Sequence, residues 1–138
     1  MNIPDKFYRV SAKALITNEE DKLLLIHEGK KGWELPGGGI EYGDTVHETI
    51  RRELQEEVGF VVDTIEQTPL LIWTQQSKTL AGDPMWMLLL CYKTTLKEMN
   101  FVASDEADSF DFFSHEEITK LPLHQNISQL PEVIHAIK

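Results

Sequence analysis

Residues 33 to 60 read WELPGGGIEYGDTVHETIRRELQEEVGF, and within them Glu53, Glu56 and Glu57 crowd one turn of helix-forming sequence. Like charges three and four positions apart destabilise a helix by roughly 0.2–0.5 kcal/mol per pair. A segment selected only for folding would avoid this arrangement, so the cluster points to a cation among the carboxylates. Three hard oxygen ligands suit Mg²⁺ or Mn²⁺, which favour carboxylates and retained waters and are completed by substrate phosphates. A short acidic run on its own has a blander reading, the solvated face of a helix.

The elements around the cluster are legible. A helix is expected from about Asp44 or Thr45, with Gly43 and Asp44 suited to its N-terminus. Val46, Ile50, Leu54 and Val58 recur every four residues as one buried stripe, placing Glu53, Glu56 and Glu57 on the opposite face. Gly59 stands just past the end, where a left-handed residue is wanted. Ahead of the helix, Pro36 holds Leu35 extended, and Gly37, Gly38 and Gly39 free the backbone for conformations other residues resist.

Around this core motif, FYRVSAKALIT at 7–17 and KLLLIHE at 22–28 read as two strands pairing back through a polar turn. FVVDTIEQTPLLIWTQ and MWMLLLCYKTTL are strand-rich and separated by LAGDP. A strand at Phe110 to Phe113 and short helices near His115–Lys120 and Pro131–Ile137 complete the chain. Strands interrupted by helices predict an α/β layered domain with a mixed sheet, a single domain over 1–138.

Composition narrows the partners. The net charge is −10, and the 13 Lys and Arg residues form no basic stripe, which argues against a nucleic-acid polymer. An acidic protein that holds a polyphosphate needs metal ions to mediate the contact. Cys91 is the only cysteine and lies in an apolar run, so it reads as a core residue and no intramolecular disulfide is possible. The N-terminus carries charges where a signal peptide needs apolar residues, and the apolar run at 85–92 is too short to cross a bilayer. The expected setting is cytoplasmic, with no membrane partner.

Written as spacings, Gly38, Asp44, Arg52-Glu53-Leu54, Glu56-Glu57 and Gly59-Phe60 resemble the Nudix box, G-x5-E-x7-R-E-U-x-E-E-x-G-U, where U is bulky and apolar. The one departure is Asp44, where the family has Glu. The resemblance implies a Nudix-type α/β/α sandwich with a mixed β-sheet, and an enzyme cleaving the diphosphate of a nucleoside diphosphate linked to a moiety X. It implies Mg²⁺ (or Mn²⁺) held by Glu53, Glu56 and Glu57 with a backbone carbonyl at Gly37 or Gly38. It further implies that Arg52 orients a catalytic glutamate and bridges to position 44. Asp44 is one methylene short, so that bridge is expected to be long or water-mediated.

Glu106, six residues ahead of Phe112, matches a further family carboxylate with a metal or base role; a solvated loop acid is the other reading. The general base is then Glu56, Glu57 or Glu106. His27, His47, His115, His124 and His135 show no ligand-like spacing with one another. Trp33, Trp73, Trp86 and Phe110 are candidates to stack on a base, although most such residues pack cores. No SQPWPFPxS-like array follows the box, Gln75 and Gln76 stand where many ADP-ribose hydrolases have a proline, and the tyrosine of diadenosine polyphosphate hydrolases is missing. With a chain near the minimal domain, the expectation leans to a nucleoside triphosphate cleaved to monophosphate and pyrophosphate, as in MutT-type members. ADP-ribose or another nucleoside-diphosphate-X is the alternative substrate. A non-catalytic nucleotide-binding module is disfavoured, because it would be expected to lose box carboxylates.

Overall fold

The computed structural model describes residues 7–134. Its organising element is a fifteen-residue strand, β7 (Pro84–Glu98), which three other strands join. β1 (Tyr8–Leu15) runs parallel along one side, from Tyr8 opposite Trp86 to Leu15 opposite Lys93. The other side is shared by two antiparallel strands. β6 (Leu71–Lys78) takes the first part of β7, and β5 (Val61–Ile65) takes the last, with bulged register. The stretch FVVDTIEQTPLLIWTQ is therefore two strands, broken near Pro69, which lacks the N–H a ladder needs. β4 (Gly37–Gly39) closes the edge beyond β1, antiparallel to it.

β2 (Leu23–His27) does not fold back on β1 as a hairpin. It pairs with β3 (Trp33–Glu34) and β8 (Ser109–Phe113) in a second, antiparallel sheet. Only a bridge between Thr17 and Leu23 links the two runs. Burial explains the correction: Leu23 and Leu25 enter one core while Leu24 and Ile26 enter the other, so β2 lies between layers.

α1 (Val46–Val58) packs on one face of the mixed sheet, burying Ile50, Leu54 and Val58 with Ala12, Ala14 and Tyr92. At roughly 1.5–3 kcal/mol for each large aliphatic side chain, that stripe anchors the helix. Thr45 caps it: Oγ1 of Thr45 accepts the Glu48 N–H at 3.1 Å, and the Glu48 carboxylate accepts the Thr45 N–H at 3.1 Å. Gly59 ends it at φ 75°, as expected. The opposite face is covered by α2 (His115–Ile118), a 3-10 turn at Gln125–Ile127 and α3 (Leu130–Val133). They bury Ile118, Ile127 and Leu130 with Trp73 and Leu89. The expected α/β/α sandwich with a mixed sheet is what forms. The stretch of the last expected helix beyond Ile134, with His135, lies outside the described residues. No described helix is long and apolar enough to cross a membrane.

Candidate functional site

The glycine strand and the acidic helix meet. The Gly37 N–H donates to Oε1 of Glu57 at 2.9 Å, tying β4 to the last turn of α1. Gly37 stands at φ +136°, and a Cβ there would overlap the Ala12 carbonyl oxygen. A Cβ on Gly38 would come 2.8 Å from the carboxyl carbon of Glu53. Only glycine lets β4 approach β1 on one side and the glutamates on the other.

Carboxylate oxygens of Glu53, Glu57 and Glu106 lie within 4.8 Å of one another. Glu106 is brought there by Ser104, whose hydroxyl donates to the Glu57 carbonyl at 2.6 Å and accepts the Glu106 N–H at 3.2 Å. Glu56 is exposed and outside this cluster. The three box glutamates do not share one solvated face: Glu57 is 5% exposed and turns under β4, because a residue four positions after Glu53 follows it toward the strand. Burial foremost, with Glu106 and Glu53 adding to it, pushes the Glu57 pKa up to about 8 against the opposing pull of Lys13 and the Gly37 amide. Burial, then Glu106 and Glu56, also raise that of Glu53. Such a donor set is electrostatically unsatisfied by itself and fits a hard divalent cation.

Arg52 Nη1 donates directly to Oδ2 of Asp44 at 2.7 Å, so the expected long or water-mediated bridge is not what forms. The helix starts after Thr45, leaving Asp44 outside it on a loop that turns back toward Arg52. Among the described residues this is the guanidinium's only side-chain hydrogen bond, and Glu53 and Glu56 feel it through space.

A buried cation adjoins the cluster. Lys13 is 4% exposed, with Nζ 3.7 Å from Oε2 of Glu34 and 3.5 Å from the Gly37 carbonyl oxygen. Burial lowers its pKa, but Glu34 and Glu57 outweigh that and hold it above the ordinary lysine value. Glu34 also nears His124, whose Nδ1 accepts the Asn126 N–H at 3.0 Å and whose Nε2 lies 3.3 Å from Glu28. Sequence reading missed Lys13, Glu34, Ser104 and His124 in these roles. A lysine between alanines in an apolar strand was the one available signal. Lys13, Gly37, Glu57, Glu106 and Asn126 line a cleft of about 270 Å³. A larger groove of about 880 Å³ runs along Lys93–Met99 on another part of the surface and touches none of the cluster.

The aromatic candidates are mostly structural. Trp73 belongs to the core, Trp33 packs edge-on against His27 and Phe113, and Phe110 joins Phe60 and Phe101. Trp86 is 47% exposed, but it alternates with Met85 and Met87, which line the cleft, and so points to the other face of β7.

The NUDIX domain model matches residues 7–134. This chain belongs to the Nudix family. Among curated Nudix relatives, putative nudix hydrolase 1 of Caenorhabditis elegans is 33% identical over 78 residues, 52% of this chain and 21% of that protein. The RNA pyrophosphohydrolase of Ruthia magnifica subsp. Calyptogena magnifica is 36% identical over 64 residues, covering 46% of this chain and 36% of the relative. The chain thus spans well under half the length of these relatives. In structure, a MutT protein from Methanosarcina mazei Go1 superposes with TM-score 0.69 at 23% identity, covering 94% of each chain. A UDP-X diphosphatase superposes with TM-score 0.71 at 25% identity over 98% of this chain and 63% of the other.

Proposed function

We propose that this chain hydrolyses the diphosphate linkage of a nucleoside diphosphate linked to X, with a nucleoside triphosphate, cleaved to monophosphate and pyrophosphate, as the favoured substrate. The observation that carries the reading is the convergence of Glu53, Glu57 and Glu106 beside the glycine strand. Those three carboxylates, with Glu56 and the Gly38 carbonyl as the box implies, would hold Mg²⁺ or Mn²⁺, which neutralises the diphosphate and acidifies the attacking water. Gly38 is preferred over Gly37 because the Gly37 carbonyl already faces Lys13.

The protein's own groups do the rest. A carboxylate takes the proton of the water whose oxygen adds to phosphorus, as the bond to the departing phosphate oxygen breaks. The base is Glu57, Glu106 or Glu56: Glu57 is fixed by its hydrogen bond from Gly37, Glu106 is exposed beside it, and Glu56 stands at the exposed rim. Arg52, steadied by Asp44, adds positive potential beside Glu53 and Glu56. Lys13 holds the strand that orients Glu57.

ADP-ribose or another nucleoside-diphosphate-X is the second reading, favoured by a further groove that opens from the cleft past Lys31, His124 and Asn126. The test is a substrate panel with Mg²⁺, scored with and without added pyrophosphatase and phosphatase. Phosphate appearing from triphosphates only after pyrophosphatase supports the favoured substrate. Turnover confined to ADP-ribose or other diphosphate esters selects the second reading. No turnover of any member returns the chain to a binding module.

A further inference from the structure

The protein carries 23 acidic against 13 basic Lys and Arg side chains, yet one groove reverses that balance. It holds about 580 Å³, is contiguous with the catalytic cleft through Lys31, His124 and Asn126, and is lined by Lys30, Lys31 and Lys78 with no carboxylate. None of the three lysines forms an ion pair among the described residues, while Lys13, Lys22 and Lys120 do. A 3-10 turn and a strand end carry them. Lys30 and Lys31 sit on a 3-10 turn pinned by the Gly29 N–H to Asp108 and by Trp33 N–H to the Pro122 carbonyl. Lys78 ends β6 at a turn where Thr79 and Asp83 hydrogen-bond each other. Ser77 and Asn126 join across the floor through a short hydrogen bond.

We propose that this groove is a second anion subsite, taking a phosphate group that lies beyond the scissile diphosphate. The acidic end of the joined clefts needs a cation before it accepts an anion; the lysine end does not. The proposal rests on the diphosphate-hydrolase reading only for the source of the phosphate, which is either an extra phosphate on the substrate's nucleoside or X moiety, or a free phosphate such as released pyrophosphate.

The test separates the subsite from turnover. The metal-free protein in EDTA is titrated with inorganic pyrophosphate by ¹H–¹⁵N NMR, beside Lys31→Gln/Lys78→Gln. Saturable shifts at the amides of Lys30–Gly32 and Lys78–Gly82 are expected, weakening with added salt and losing about fivefold in affinity in the double variant. In a second arm with Mg²⁺, nucleoside 5′-monophosphates are compared with their 3′,5′-bisphosphates. A bisphosphate advantage of about fivefold that the double variant abolishes assigns the subsite to the substrate. Equal binding of the pair, with pyrophosphate binding retained, assigns it to a free phosphate. Absence of saturable shifts, or shifts confined to Arg9 and Gly37–Gly39 and unchanged in the double variant, overturns the proposal. Both lysines are exposed, so folding is not at stake.

Discussion

Glu57 is latched to Gly37 by a 2.9 Å hydrogen bond, and the same glycine's carbonyl faces Lys13. One glycine thus ties the acidic helix α1 to β4, and β4 to the lysine of β1. The latch also keeps an acid buried whose proton is held up to a pH near 8.

That gives the metal-free protein a definite pH dependence. Glu57 is protonated more readily folded than unfolded, so its contribution to stability is complete below about 4.5. It is lost as pH rises toward about 8. Thermal melts in EDTA from pH 5 to 9 should show the parent losing about 1–3 kcal/mol relative to Glu57→Gln across that window. Mg²⁺ should bind more tightly as pH rises through the same range, because it competes with the proton. A flat difference between parent and variant would remove Glu57 as the titrating group.

Carboxylate-to-amide changes should separate the roles at the site. Glu53→Gln and Glu57→Gln should each lower kcat by about a hundredfold or more, while Glu56→Gln, at the exposed rim, should lose less. Glu106→Gln reports on the loop: a comparable loss supports a working role, and parental turnover leaves it a solvated acid. In the parent, Mg²⁺ at a hundred times its Kd should add about 2.7 kcal/mol of stability, and the gain should shrink in Glu57→Gln.

Lys13→Met leaves Glu34 buried with its cation gone. Urea unfolding should register a loss of about 3–5 kcal/mol. Adding Glu34→Gln should recover much of it, since the amide needs no counter-charge. If the double variant is as unstable as the single one, the aliphatic stem of Lys13 matters more than its charge.

The glycines should differ in kind. Gly37→Ala drives a Cβ into the Ala12 carbonyl at a positive φ and should unfold the edge of the sheet or abolish expression of folded protein. Gly38→Ala meets only the end of the Glu53 side chain, which can swing aside. It should fold, bind Mg²⁺ more weakly and lose turnover, as isothermal titration and kinetics would show.

The box helix and its left-handed stop were legible because each follows from residues within a turn or two of one another. Gly37–Gly39 read as loop, because they become a strand only by pairing with the distant β1. The pairing of β2 was not legible, because membership of a sheet depends on which layers bury a strand's two faces. The direct Asp44–Arg52 bridge was not legible either, because side-chain length alone does not say how close the loop before the helix brings Asp44 to Arg52. Lys13, Glu34 and His124 come from three distant segments, and nothing local marks residues that meet only after folding. Tryptophan content could not say which rings face a ligand, since strand alternation sends Trp86 away from the cleft that Met85 and Met87 line.

Cys91 sits on β7 with no solvent exposure, flanked by β1 and β6, and burial raises its thiol pKa to about 12. A thiol reagent has neither access nor thiolate until that central strand opens. The only cysteine of the chain is thus an intrinsic clock for global opening. Its labelling rate under native conditions reads the protein's kinetic durability without a fluorophore, a mutation or a substrate.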